Sequence, residues 1–191
     1  MKRARLNPEQ VVQAACDMAD AEGLEATTLS ALARALGIQP PSLYRHIDSY
    51  GALIAAIAAR GLEDLRERLS SAAAGRSGPT AVHAVADAYR AYAHEHPGRY
   101  AATTAFGTIR GHDAYGTAGQ AILDVLSATL REWDLDDPAR IDAIRGLRAA
   151  LHGFVSLERS HGFAMDQSVD GSFTALVNAL IAGLDAGGGP A

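Results

Sequence analysis

The side chains best suited to chemistry in this 191-residue chain crowd between positions 34 and 46, where Arg34, Gln39, Ser42, Tyr44, Arg45 and His46 stand among apolar residues. They are cationic and hydrogen-bonding groups of the kind that reach phosphates and base edges, and Arg45 is able to fork onto a guanine. The residues around them say how they are held. Leu29, Leu32, Ala33 and Leu36 recur at i, i+3, i+4 and i+7, a single buried helical face that turns Ser30 and Arg34 outward. Thr28 suits the N-cap of that helix, and Gly37 suits the left-handed residue after its end. Ile38 then returns to the core. Pro40 keeps the chain extended, and Pro41 fits the first position of a second, short helix, where a missing N–H costs nothing. That helix gives Leu43 and Ile47 to the core and presents Gln39, Ser42, Tyr44, Arg45 and His46. The stretch reads as a helix-turn-helix whose expected ligand is the major groove of DNA.

Rival chemistry has little to stand on. His94-Glu95-His96 sends its two imidazoles to opposite sides of a helix end, and no His-Glu-x-x-His or Cys-x-x-Cys spacing is present. There is no phosphate loop and no Gly-x-Ser-x-Gly elbow. Cys16 is the single cysteine and reads as a small buried residue of the first helix. No catalytic residue, metal or cofactor is therefore expected, and the chain does not read as an enzyme.

Residues 6–57 resemble the DNA-binding domain of the TetR family of bacterial transcriptional regulators. The resemblance is carried by Gly23-Leu24, Thr28-Leu29, Leu32-Ala33, Leu36-Gly37-Ile38, Leu43-Tyr44-Arg45-His46-Ile47 and Leu53-Ile54, in order and without a gap. It implies that Tyr44 and His46 hold phosphates. Ser42, Tyr44 and Arg45 are the candidates for groove contact, with Tyr44 open between groove and phosphate; Thr28 and Ser30 meet the backbone or flanking bases, and Gln39 and Pro41 are further DNA-binding candidates. Tyr50 stands where the family often has a lysine that meets a phosphate. Lys2, Arg3 and Arg5 form a basic arm ahead of the first helix, ready to add phosphate contacts. The resemblance further implies a homodimer, a near-palindromic double-stranded operator, and repression relieved by a small molecule. Activation and an all-α enzyme remain the alternatives.

Charge tempers the DNA reading without opposing it. The chain carries 17 Lys and Arg against 22 Asp and Glu, a net −5, the wrong sign for coating DNA nonspecifically. Base contacts and dimerisation must then carry the affinity. No apolar run approaches the roughly eighteen residues that cross a membrane, and Asn7, Pro8 and Glu9 follow the basic start where a signal peptide would turn apolar. The expected location is the cytoplasm.

Everything else reads as helix. A support helix spans residues 7–22, and a long helix over residues 51–73 runs on from the reading pair, with Gly61 as a soft point. A linker covers 74–79, followed by helices over 80–96 and 100–106. After a glycine joint at 107–111, further helices reach Trp133, span 139–160 and close the chain over 168–185. The last two carry apolar stripes from which a dimer interface is expected at Ile144, Leu151, Val155, Phe173, Leu176, Val177, Leu180, Ile181 and Leu184. Tyr89, Tyr92, Tyr100, Phe106, Trp133, His152 and Phe163 are numerous enough to line an apolar pocket for a small ligand. His96-Pro97-Gly98-Arg99-Tyr100 and Leu151-His152-Gly153-Phe154 resemble the TetR subgroup named for a Trp-His-Gly motif, with Leu151 in place of the tryptophan.

The expected architecture is all-α. A three-helix DNA-binding domain occupies residues 1–51, a larger ligand-binding and dimerisation bundle residues 52–186, and a flexible tail 187–191.

Overall fold

The computed structural model describes residues 6–105 and 113–187. All regular secondary structure among them is helical: α1 (Pro8–Glu22), α2 (Leu29–Ala35), α3 (Pro40–Leu43), α4 (Tyr50–Ala73), α5 (Gly78–Glu95), α6 (Pro97–Thr103), α7 (Asp113–Thr129), α8 (Asp137–Arg159) and α9 (Val169–Gly187). The basic arm at Lys2, Arg3 and Arg5, the pocket candidate Phe106 and the glycine joint at 107–111 lie outside the described residues.

Local chemistry accounts for the helix ends. Asn7 opens α1 with a capping box: its side chain accepts from the Gln10 N–H at 2.8 Å, and the Gln10 side chain accepts from the Asn7 N–H at 3.0 Å. Asp136 caps α8 by accepting from the Ala139 N–H at 2.8 Å, without a reciprocal side-chain bond. The linker is shorter than its composition suggests. Gly78 and Pro79 already belong to α5, because the first turn of a helix tolerates a residue with no N–H.

The chain divides into two compact units, Met1–Asp64 with Glu95–Gln120, and Leu65–His94 with Ala121–Ala191. In the first, Val11, Ala15, Cys16 and Ala19 of α1 pack with Leu32, Ala33, Leu43, Leu53, Ile54 and Ile57, and Ala102 of α6 joins the same core. In the second, Leu69, Val82, Val85, Leu130, Leu147, Leu151, Val155, Phe173 and Val177 are buried. The helix α6 thus sits with the reading helices.

Its attachment is specific. A Cβ added at Gly98 would lie 2.1 Å from the Ala19 carbonyl carbon and oxygen, so α6 approaches α1 as only glycine allows. Asp20 of α1 accepts from the Gly98 and Arg99 N–H groups at 3.0 and 2.9 Å, and its second oxygen stands 3.1 Å from His96 Nδ1. The Arg99 guanidinium then spans Asp17 at 3.1 Å, Asp20 at 3.0 Å and Asp64 of α4 at 2.9 Å. Gly61 lies under this crossing, with the Arg99 carbonyl 3.1 Å from where its Cβ would be. It serves close helix packing, and α4 runs through it unbroken.

Candidate nucleic-acid interface

The helix-turn-helix forms as its residues dictate. Thr28 Oγ1 accepts from the Ala31 N–H at 3.1 Å and starts α2. After Ala35 the chain turns through Gly37 at φ 63°, with the Gly37 N–H donating to the Arg34 carbonyl at 3.1 Å and the Ile38 N–H to the Ala33 carbonyl at 3.0 Å. The next helix begins one residue earlier than the dipeptide suggests. Pro40 is its first residue and Pro41 its second, with Gln39 at the cap. Both of these positions lack an intrahelical donor role, so two successive prolines fit.

Leu43 and Ile47 are buried at 1% and 6% exposure, which fixes the rotation of α3 and the turn after it. Thr28, Ser30, Arg34, Gln39, Pro40, Pro41, Tyr44, Arg45 and Tyr50 are exposed, and Ser42 and His46 are half-buried. Tyr44 and Tyr50 leave 52% and 42% of their surface in solvent, unusual for aromatic residues in a folded domain. Among the described residues neither Arg34 nor Arg45 is held in an ion pair, whereas Arg60, Arg90 and Arg99 all are. Ser49 caps α4 by accepting from the Ala52 N–H at 3.1 Å, which sets Tyr50 at its first position.

The aromatic and imidazole groups expected around a ligand are divided between the two units. Tyr100 belongs to the first unit; Tyr89, Tyr92, Trp133, His152 and Phe163 belong to the second. Tyr92 is fully buried beneath the Arg68 guanidinium, 5.7 Å from its ring. Trp133 donates its indole N–H to Asp185 at 2.7 Å, and Phe163 leans on Phe154 with centroids 4.8 Å apart. Tyr89 and His152 are half-buried. Burial, and after it the Arg148 charge, lowers the His152 pKa and favours a neutral imidazole. Burial also pushes the Cys16 thiol up to about 12, the opposite of what a nucleophile needs. Among the described residues no group of three or more His, Cys, Asp or Glu side chains is placed to hold a metal ion.

The stripes expected to face a second copy are largely spent inside one chain. Ile144, Leu151, Val155, Phe173, Val177 and Ile181 are buried in the protomer itself, and Leu176, Leu180 and Leu184 are half-buried. A helical stripe that closes its own core has the same spacing as one that meets a partner, which is why periodicity could not separate the two. The open faces carry mostly small residues instead: Gly146, Ala149, Gly153 and Ser156 on α8, with Leu157 half in solvent beside them, and Ala175, Ala179, Ala182 and Gly183 on α9.

Comparison with known proteins decides the family. Residues 11–60 match the family described as bacterial regulatory proteins, tetR family, and residues 82–180 match the tetracyclin repressor-like C-terminal domain. The chain belongs to the TetR family. An uncharacterized HTH-type transcriptional regulator of Mycobacterium tuberculosis is 38% identical to it over 182 residues, 95% of this chain and 83% of that protein. One from Bacillus subtilis is 31% identical over 184 residues, covering 95% and 94% of the two chains. In fold it is similar to a TetR protein from Acinetobacter baumannii AYE in complex with minocycline, with a TM-score of 0.71 at 20% identity over 97% of this chain and 100% of that one. The all-α architecture and the role in transcription regulation follow for this TetR-family regulator, and no helix among its described residues is long and apolar enough to cross a membrane.

Proposed function

We propose that this regulator works in the cytoplasm as a dimeric repressor that a small apolar molecule releases from a near-palindromic operator. The observation that carries the DNA half is the exposed Arg45, in no ion pair among the described residues, beside Tyr44 on a rotation fixed by buried Leu43 and Ile47. Arg45 and Ser42 read base edges and Tyr44 and His46 hold phosphates. Thr28 and Ser30 approach the flanking backbone, Tyr50 offers a phenol where a lysine is usual, and Lys2, Arg3 and Arg5 add phosphate contacts. In a dimer the two short helices enter major grooves ~34–36 Å apart on one side of the duplex. Residues 1–51 read DNA, and residues 52–186 bind the ligand and dimerise.

The second copy is met by the small-residue faces of α8 and α9, where Gly146, Gly153 and Gly183 have nothing within 4 Å of where a Cβ would stand. Small side chains let two helix pairs approach closely enough to bury their backbones. Ala179→Arg therefore splits the dimer in sedimentation-velocity runs, while Glu67→Arg, at an exposed position of α4, leaves it intact.

Fluorescence anisotropy against DNA flanking the regulator's own gene, at two salt concentrations with unrelated competitor, tests the whole reading. Saturable binding that survives competitor supports it and supplies the assay for an inducer screen. Failure there, followed by failure to enrich any site from random DNA, overturns it. Arg45→Ala costs roughly 1–3 kcal/mol at its cognate base and relaxes preference there.

A further inference from the structure

Arg90 of α5 stands where α8 and α9 meet, and two of its surroundings together have the chemistry of a ligand. Its guanidinium lies 4.8 Å from the Phe173 ring and 5.9 Å from that of Phe154, so the cation rests against aromatic faces. Glu158 takes the Nε and Nη2 side of the guanidinium, and the same carboxylate is 2.9 Å from His94 Nε2. The other side is half used: Asp170 accepts from Nη2 at 2.7 Å, and among the described residues Nη1 makes no hydrogen bond. Phe163 leans on Phe154 with centroids 4.8 Å apart, and Phe154 meets Phe173 at 5.1 Å. Phe163 and Asp170 come from one short stretch that lies mostly in solvent. Residues 160–168 are all exposed, Phe163 itself by 37%, and the Asp170 side chain is mostly in water. The stretch leaves α8 through a Schellman turn, with the Gly162 N–H donating to the Leu157 carbonyl at 2.7 Å and the His161 N–H to the Glu158 carbonyl at 3.1 Å. His161 takes the left-handed place in that turn at φ 56°, where glycine is usual, and opening the stretch relieves it.

We infer that Arg90, Phe154 and Phe173 form a binding site for an aromatic carboxylate, filled in this structure by the chain's own Phe163 and Asp170. The ligand's ring takes the place of Phe163 against Phe154. Its carboxylate takes the place of Asp170 and forks onto Nη1 and Nη2, so a bidentate pair replaces a single bond. Charge is conserved in the exchange, because one carboxylate leaves Arg90 as another arrives. Ring position and cation both adjoin Phe154, so a ring and an acid joined by a short chain span them. An amide in place of the acid is a weaker acceptor, and an amine sets like charge beside the guanidinium. The inference rests on the ligand-admitting role proposed above for this bundle, and it narrows the small apolar molecule to a ring that carries an acid.

Isothermal titration calorimetry of the full-length protein tests this with benzoate, phenylacetate, phenylpropanoate and phenylbutanoate, which differ in the span from ring to acid, and with the amide and amine of the tightest. At least one acid is expected to bind, and its amide and amine about tenfold more weakly or worse, as lost charge-assisted hydrogen bonds require. The two displaced groups give the diagnostic result. Phe163→Ala and Asp170→Asn each remove an internal competitor and are expected to tighten the acid about threefold or more, because apparent affinity falls with the fraction of sites filled from within. Deleting an ordinary lining residue does the opposite. Arg90→Lys keeps the charge without the fork and weakens the acid about tenfold. Circular dichroism checks that each variant is folded, and the comparison of acid with amide needs no variant. Failure of all four acids overturns the inference, as does an amide that binds as well as its acid, or an acid that neither Phe163→Ala nor Asp170→Asn tightens. The titrations contain no DNA, so they decide the site whether or not an operator is found. An acid that binds in this manner without releasing operator DNA leaves the site standing and counts against release by that ligand. Release by a compound without an acid, while no acid binds, overturns the site and leaves the proposed repression intact.

Discussion

Each compact unit buries an arginine among carboxylates, and the two do so in different surroundings. In the first, Arg99 of α6 reaches Asp17 and Asp20 of α1 and Asp64 of α4, over helix crossings that Gly98 and Gly61 leave too close for a Cβ without movement. In the second, Arg90 of α5 lies 4.8 Å from the Phe173 ring and 5.9 Å from that of Phe154. It forks onto Glu158 of α8, its Nε at 2.9 Å from Oε2 and its Nη2 on Oε1, and reaches Asp170 of α9 at 2.7 Å. The first cluster is set by backbone approach, which has no give. The second is set by aromatic faces and two carboxylates, Glu158, mostly buried, and Asp170, whose side chain is 85% exposed and free to shift. A rigid link to α1 suits the unit that must hold reading helices in register, and a deformable one suits the unit proposed to admit a ligand.

The sharpest way to break this contrast is to remove the rigid arginine. Arg99→Met takes the guanidinium from Asp20 and Asp64, both mostly buried, leaves Asp20 its backbone donors and Asp64 its Arg60 partner, and is expected to cost about 3 kcal/mol, the upper end for lost charge-assisted hydrogen bonds. Urea unfolding followed by circular dichroism reads it; a loss under about 1 kcal/mol would mean that the cluster behaves as a surface pair. Gly98→Ala comes next, at roughly 1–3 kcal/mol, because its Cβ meets the Ala19 backbone. Its control is Gly116→Ala in α7, where a Cβ meets nothing within 4 Å and the better helix former gains about 0.5–1 kcal/mol. Equal effects at the two glycines would show that α6 can slide on α1 freely. In the second unit Asp170→Asn is expected to cost less than about 1 kcal/mol, as an exposed partner should.

What the residues alone make legible is local. The Asn7–Gln10 capping box, the left-handed Gly37 and the Leu43–Ile47 anchor all depend on neighbours within four positions, and the exposed reading face follows from them. The start of α3 lies one residue ahead of the expected position, because the tolerance of a helix's first turn for two prolines outweighs the bias of a residue before proline toward extended backbone. The Asp20–Arg99 cluster joins residues 79 positions apart, and no periodicity connects them. Only the crowding of Gly98 beside Arg99 hints at a close approach. Aromatic content likewise says nothing of which unit each ring joins: Tyr100 goes to the first and Trp133 to the second. The C-terminal stripes are visible in the sequence but undecided between core and interface, since both bury one face of a helix.

Acid should separate the carboxylate and imidazole contributions within the second unit, and the effect is the smallest expected. Hydrogen bonds from Arg90 first, and from His94 after opposition by burial, hold the Glu158 carboxyl below its ordinary 4.5. The unfolded chain then takes up this proton at higher pH than the folded one, so the stability it contributes is present above about pH 4.5 and fades as pH falls below it. His152 also has a lowered pKa, by burial and then by the Arg148 charge, so the folded state prefers the neutral ring. Its contribution is present above its ordinary 6.5 and is lost as pH falls through that value. Both limbs run the same way, with stability falling toward acid, but they occupy different windows. Urea midpoints at about pH 7.5, 5.5 and 4 should therefore step down twice, His152→Gln removing the first step and Arg90→Met the second. A flat profile across the upper of these two intervals in the unmodified protein would mean that His152 is hydrated when folded, and that the deformable unit is already open to water at that ring.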